Sequence, residues 1–397
     1  MSCYIAAYGL VSALGIGRDA SAEALLAWQL SGVSPLDRHR APLLDGRQTP
    51  VGRVEGELPA MPAMPAALAP YASRNNQLLL AALAQVRPAL DEALAAHGPA
   101  RVGLVLGTST AGIGEAELAV AAVRRGEAVP PAFDYRQQEL GSPSEFLARH
   151  LGLTGPAWTI STACSSSARA FISGQRLLAA GLVDAVLVGG ADSLCGLTLN
   201  GFDSLESLSC ARCQPFDEAR QGINIGEGAA LFLLSNTPAP LALLGAGESS
   251  DAWHISAPHP DGIGAEAAMQ MALVQAGLTP AQVGYVNLHG TATRLNDAME
   301  SQAVHRLFGA EVPCSSTKLL TGHALGAAGA IEAALACLLL ERALPLPPQR
   351  VTTADPALAP IRLVSGEVPL AAPRVLSNSF AFGGNNVSLL FGSVHHE

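Results

Sequence analysis

Short apolar runs separated by longer amphipathic stretches recur along the chain, and together they predict an α/β protein. The clearest unit lies between residues 157 and 190. Residues 157–160 read as a buried strand. Ala168, Phe171, Ile172 and Leu178 then mark one face of a helix that Gly181 stops. Residues 185–188 form a second strand, closed by Gly189 and Gly190. Between the first strand and the helix stands Thr162-Ala163-Cys164-Ser165-Ser166-Ser167, so a cysteine occupies the turn that opens the helix.

The same reading covers the rest of the chain. Residues 4–15 give a strand and a glycine turn, and 20–30 a helix. The stretch 35–70, rich in Pro, Gly and Arg, is expected to be loop. Residues 75–96 form a long helix packed through Leu78, Leu79, Leu83 and Val86, and 101–106 a strand that ends in Gly107. A helix follows near Glu115, residues 130–143 are an irregular connection, and from 197 to 216 the pattern weakens. Gly226 and Gly228 introduce a strand at 231–235. Beyond Pro238 and Pro240, strands are expected near Leu241 and at 283–288, 313–316, 375–379 and 387–391. Helices are expected at 264–276, 297–308 and 325–342.

The two halves repeat one layout. Residues 160–182 and 312–344 each run from a strand through a turn with reactive-type residues into an alanine-rich helix. Gly226 and Gly383 each precede an apolar strand. The repetition predicts a duplicated fold, divided into 1–237 and 238–397, with loops of both halves meeting at one site.

Composition narrows the function. The chain has 397 residues, 49% of them hydrophobic, enough for a large core. A net charge of −10 without a basic stripe argues against a nucleic-acid partner. The seven cysteines are odd in number and scattered, which is not a disulfide framework and fits a reducing, cytoplasmic setting. Cys210 and Cys213 have metal-knuckle spacing, but no second pair or nearby histidine completes them, so no metal is expected. No secretory signal is read at the N-terminus. The most hydrophobic later stretch, 324–340, contains Glu332 and falls short of the about 20 apolar residues of a membrane span. It reads as a buried helix.

Three further segments carry chemistry. They are His289-Gly290-Thr291-Ala292-Thr293, the loop with Lys318 and His323, and Phe380-Ala381-Phe382-Gly383-Gly384-Asn385. Unpaired N–H groups at a helix start favour a thiolate and can hold an oxyanion. A thiolate with imidazoles at strand ends suits acyl transfer. The sulfur attacks a thioester, amides hold the first oxyanion, and neutral histidines donate to a second.

With these motifs in this order, the sequence resembles the β-ketoacyl-[acyl-carrier-protein] synthases of the elongating type, a family that includes synthases I and II and polyketide ketosynthases. The resemblance runs from Tyr8-Gly9-Leu10-Val11 to Gly392. It implies the thiolase fold, two similar halves in five α/β/α/β/α layers. It implies decarboxylative condensation of an acyl thioester with malonyl-acyl-carrier protein, in fatty acid, polyketide or aryl-polyene synthesis. It further implies no metal or redox cofactor, substrates borne on the phosphopantetheine of acyl carrier protein, and a dimer. The dimer is either of identical subunits or with a chain-length-factor-like subunit. Cys164 takes the part of acylated nucleophile, and His289 and His323 assist decarboxylation and hold the enolate oxygen. Lys318 orders the site, with Glu332 supporting its loop. The amides of Cys164 and Phe382 form the oxyanion hole, and Phe382 gates the acyl pocket. Thr291 and Thr293 match positions that bind the phosphopantetheine arm, and Phe202 and Phe380 join them as substrate-binding positions.

Several residues depart from the common pattern. Arg294 and Asn296 stand where the family has proline and glycine, and Ala381 and Asn385 replace glycine and threonine in the gate loop. Asp203 and Glu206 lie where arginine often meets the carrier. The His-Gly-Thr-Ala-Thr…Asn-Asp variant is similar to ketosynthases of aryl-polyene pigment pathways. For an acidic carrier, Arg74, Arg124, Arg125 and Arg212 are the candidate contacts. Two other readings compete. A non-catalytic chain-length factor lacks the nucleophile, and a degradative thiolase needs a second C-terminal cysteine, for which only Cys337, within a helix, is at hand.

Overall fold

The computed structural model describes residues 3–61 and 67–394. Most strands of its sheet are buried on both faces, as strands covered by helices on either side must be. Ala157–Ile160, expected to be buried, is instead an edge strand with exposed and half-exposed residues. The N-terminal half contributes β1 (Cys3–Ser12), β2 (Val102–Gly107), β3 (Ala157–Ile160), β4 (Ala185–Asp192) and β5 (Gly228–Ser235). The C-terminal half contributes β6 (Leu241–Ser250), β7 (Tyr285–Asn287), β8 (Pro313–Ser315), β9 (Arg374–Phe380) and β10 (Asn385–Ser393). Their spatial orders are β3-β2-β4-β5-β1 and β8-β7-β9-β10-β6. In each half the first three strands of that order are parallel, and the last two pairings antiparallel. The repeat read from sequence is thus a repeat of topology. The first residues of β1 pair with β6, Cys3 opposite Leu243, and join the halves edge to edge.

Helices cover both faces. α1 (Arg74–His97) packs on β1 and β5 at one outer face, and α3 (Ile263–Ala276) on β6 and β10 at the other. Between the sheets lie α2 (Ser166–Ala179), against β4 and β2, and α5 (Ala328–Arg342), against β9 and β10. α2 and α5 touch each other, which completes five layers, the thiolase fold. Small residues permit that contact. A Cβ on Gly329 would lie 2.8 Å from the Ala168 methyl, and the Ala330 N–H donates to Ser167 Oγ at 2.9 Å. α4 (Arg294–Phe308) packs beside α3.

Local signals explain the boundaries. Ser73 caps α1, its Oγ accepting from the Asn76 N–H at 3.2 Å, so the helix starts one residue before the expected 75. α4 starts three residues before the expected 297, and α5 begins at Ala328 after a short turn at Leu325–Ala327. Three helices differ from the sequence expectation, Ser142–Leu151, Gly196–Ser204 and the single turn Lys318–Thr321. The second is held by tertiary contact, because Glu117 accepts from the N–H groups of Gly196 and Leu197 at its start. The expected loop 35–70 holds a small hairpin, Arg40–Pro42 with Gln48–Pro50, and its residues 62–66 lie outside the described residues. Among the described residues no helix is long and apolar enough to cross a membrane.

Candidate active site

Cys164 lies in the turn between β3 and α2, two residues before the helix begins. Ala163 reaches it through a left-handed φ of 52°, which turns the chain sharply between strand and helix. The sulfur is buried, and the backbone amides of Phe382 and of Cys164 itself face it. Burial pushes the thiol up to about 11, against the pull of the Lys318 charge and those amides. The thiolate expected from the helix start is therefore corrected: desolvation outweighs the helix terminus, and the resting group is a thiol.

His323 supplies its partner, with Nε2 at 3.0 Å from Cys164 Sγ. Its backbone is clamped by the N-terminal half, the His323 N–H donating to Asn224 O at 2.7 Å and the Gly226 N–H to His323 O at 3.0 Å. Gly226 allows this approach, since a Cβ there would come within 2.1 Å of Thr321 O. His289 leaves the end of β7, and its ring meets that of His323 edge-on at 5.3 Å. Burial, and then the Lys318 charge, hold both imidazoles well below 6.5, so both are uncharged near neutral pH. Together the three groups offer ligand atoms within 4.8 Å of one another.

Lys318 donates to Glu332 of α5 at 2.5 Å, both side chains at most 2% exposed. Burial raises the Glu332 carboxyl while Lys318 pulls it down. Lys318→Met leaves that carboxylate unpaired in the core. The expected cost is about 3–5 kcal/mol in denaturant unfolding, with part of it regained by adding Glu332→Gln. A loss below about 1 kcal/mol contradicts a buried pair.

A cavity of about 300 Å³ opens onto the sulfur and both histidines. Thr291, Thr293, Phe202, Phe380 and Phe382 all line it. Thr291 and Thr293 share a hydroxyl hydrogen bond of 2.9 Å, and the Phe202 and Phe382 rings lie 5.8 Å apart. Every site residue expected from sequence thus borders this cavity, except Lys318 and Glu332, which pair beneath it. Cys337 does not border it and sits in the core of α5.

Sequence reasoning missed the buried acids that shape the loops. Glu300 accepts from the His289 and Gly290 N–H groups at 2.8 and 2.7 Å, and Asp297 from Thr291 at 3.1 Å. Burial raises both, Glu300 to about 7 and Asp297 to about 6, with those amides pulling the other way. Their i, i+3 spacing in α4, directly after the histidine motif, was the available signal. Asp192 takes five donors at its two oxygens, among them Thr108, Thr110 and the Ala327 N–H of the other half. The arginines expected to meet the carrier differ in the partners they already hold. Arg74 is paired with the buried Glu227 at 2.5 Å, Arg125 with Glu127 at 2.7 Å and Arg212 with Asp37 at 2.8 Å. Arg124 remains exposed without a partner among the described residues.

Comparison with known proteins agrees with this geometry. The family described as "Beta-ketoacyl synthase, N-terminal domain" matches residues 4–239, and "Beta-ketoacyl synthase, C-terminal domain" matches 242–351. A 3-oxoacyl-[acyl-carrier-protein] synthase 2 of Rhizobium meliloti is 39% identical over 263 residues, 60% of this chain and 61% of that protein. One of Staphylococcus aureus is 34% identical over 259 residues, covering 61% and 62%. The matched stretches thus span about three fifths of those relatives' length. The solved ketosynthase ApeO in complex with its chain length factor ApeC, from Xenorhabdus doucetiae, matches at 53% identity and a TM-score of 0.94. That match covers 99% of this chain and 98% of the other. A β-ketoacyl synthase from Burkholderia phymatum matches at 29% and 0.85, covering 99% and 100%. On its motifs, its fold and these matches, the chain belongs to the β-ketoacyl synthase family.

Proposed function

We propose that the chain catalyses decarboxylative Claisen condensation, joining an acyl group held on Cys164 to malonyl-acyl-carrier protein. The observation that carries this reading is the 3.0 Å contact of Cys164 Sγ with a neutral His323, beside a neutral His289, at the base of one cavity. Cys164 attacks the acyl thioester as its proton passes by way of His323 to the departing carrier thiol. The amides of Cys164 and Phe382 hold the oxyanion. The malonyl C–CO2 bond then breaks, its electron pair moves toward the thioester oxygen, and His289 and His323 donate to that enolate. The carbanion attacks acyl-Cys164, the C–S bond breaks, and uptake of one proton restores the thiol. Lys318 with Glu332 keeps the His323 loop in place.

Thr291 and Thr293 line the path for a phosphopantetheine arm, and no further cofactor enters the scheme. The division at residue 237 separates a half bearing the nucleophile from one bearing the histidines and gate. Kinship with ApeO, solved with its chain length factor, supports a partner of that kind alongside acyl carrier protein. A complete Cys-His-His set favours the catalytic member of such a pair. A cytoplasmic setting fits seven free cysteines.

The reading is tested by supplying acyl- and malonyl-carrier proteins and following CO2 together with the β-ketoacyl product. Equimolar CO2 and product support it; CO2 without product from the parental protein contradicts it. The gate-loop variant and the similarity to aryl-polyene ketosynthases extend it to substrate. Polyenoyl carriers are expected to outcompete saturated carriers of equal length by about tenfold in kcat/KM, a difference of roughly 1.4 kcal/mol. A preference for the saturated chain removes the pigment-pathway assignment.

A further inference from the structure

The loop 381–386 contains a departure, Asn385, that the reaction above does not use. It follows two glycines with left-handed φ, Gly383 at 85° and Gly384 at 76°. A backbone of that kind is defined mainly by what holds it from outside. Besides Asn386 Nδ2, which donates to Asp251 Oδ1 at 2.7 Å, three contacts do so. The Gly383 N–H donates to Ile255 O at 2.8 Å, and the Asp251 N–H to Gly384 O at 2.8 Å. The third is of another kind, because it crosses from the C-terminal sheet to the helix of the nucleophile. Arg169 of α2 donates from Nη1 to Asn385 Oδ1 at 3.3 Å.

Arg169 is itself fixed. Its Nε donates to Glu248 Oε2 of β6 at 2.8 Å, while Arg176 Nη2 takes Oε1 of the same carboxylate at 2.7 Å. Arg169 and Glu248 are partly buried, 27% and 19% exposed, and the ion pair orients this guanidinium with one donor directed at the gate loop. Threonine, the common residue at 385, is shorter than asparagine and carries its oxygen one bond nearer the backbone. At the other side of the loop, Phe382 lines the same cavity as Cys164, and its N–H lies toward the sulfur. One side chain therefore ties the start of α2 to the strand that carries the gate.

We propose that Arg169 and Asn385 form a latch holding the Phe382 amide on the Cys164 sulfur, which makes both of them positioning residues for the nucleophile. The proposal rests on the acyl-transfer reading for its consequence in turnover. Loosening the latch lets the amide drift from the sulfur and from the oxyanion that forms beside it.

The test compares Asn385→Leu, which removes the acceptor at similar volume, with Asn385→Asp, which keeps it. Iodoacetamide labelling of Cys164 is followed by peptide mapping across the alkaline pH range, and kcat and KM are measured on the same preparations. In Asn385→Leu the pH midpoint of labelling is expected to move up, with labelling at mildly alkaline pH slowed by about threefold or more. Condensation kcat falls with KM for malonyl-carrier unchanged, and Asn385→Asp recovers both. Should Asn385→Leu not fold, Asn385→Ala carries the same expectation. Identical labelling profiles in parent and variant overturn the latch, as does a loss that Asn385→Asp fails to restore. Labelling needs no carrier substrate, so the latch can fail while the parent still condenses. A parent that neither condenses nor takes an acyl group would instead remove the functional reading.

Discussion

Cys164→Ala is expected to abolish condensation, by on the order of 10⁴-fold or more, because among the described residues no other cysteine lines the cavity beside both histidines. Release of CO2 from malonyl-carrier protein should continue, since the enolate donors remain. The remaining cysteines offer no substitute. Cys3 and Cys213 are pushed by burial to about 12, Cys195, Cys314 and Cys337 are raised as well, and none of them borders the cavity. Cys210 is partly exposed, but its sulfur faces Arg47 at 3.5 Å on another surface. Measuring product and CO2 in parallel checks this. Condensation persisting within tenfold of the parent would show that Cys164 is not the acyl carrier.

The second large effect separates the histidines from the nucleophile. His289→Ala and His323→Ala are each expected to depress CO2 release by about 10² or more, the usual loss for one donor to a developing oxyanion. Acyl transfer should survive better in His289→Ala, because His323 alone touches the sulfur at 3.0 Å. Since burial and the Lys318 charge hold both imidazoles well below 6.5, protonation does not remove a donor near neutral pH. Decarboxylation is expected to stay flat as pH falls through 6.5 and to fail only lower, where the buried rings begin to charge. Parental CO2 release in both alanine variants, or an acid limb centred at 6.5, would contradict the assigned role.

Much of this site was legible in the sequence because its chemistry sits on regular junctions. Cys164 stands where an apolar strand gives way to a small-residue helix, and His289 where another strand ends, so periodicity located both. The repeated strand orders follow from the same repeated pattern. What stayed hidden depends on groups distant in the chain. Nothing local marks Gly196–Ser204 as a helix, since Glu117 supplies its cap. Asp192 and Glu300 read as ordinary acids until the fold surrounds them with amides. The state of Cys164 was misjudged for a related reason. A helix start is visible in sequence, whereas the burial that overrides it is not. Arg74 likewise looked like surface charge, although it is the partner of buried Glu227.

The central claim is that Cys164 carries the acyl group, and intact-mass spectrometry with peptide mapping tests it most directly. After brief incubation with an acyl-carrier protein and no malonyl donor, one acyl group per chain is expected, on the peptide containing Cys164. It should disappear when malonyl-carrier protein is added. An adduct on Cys210 or elsewhere, or a Cys164 adduct that malonyl-carrier protein cannot discharge, would contradict the account.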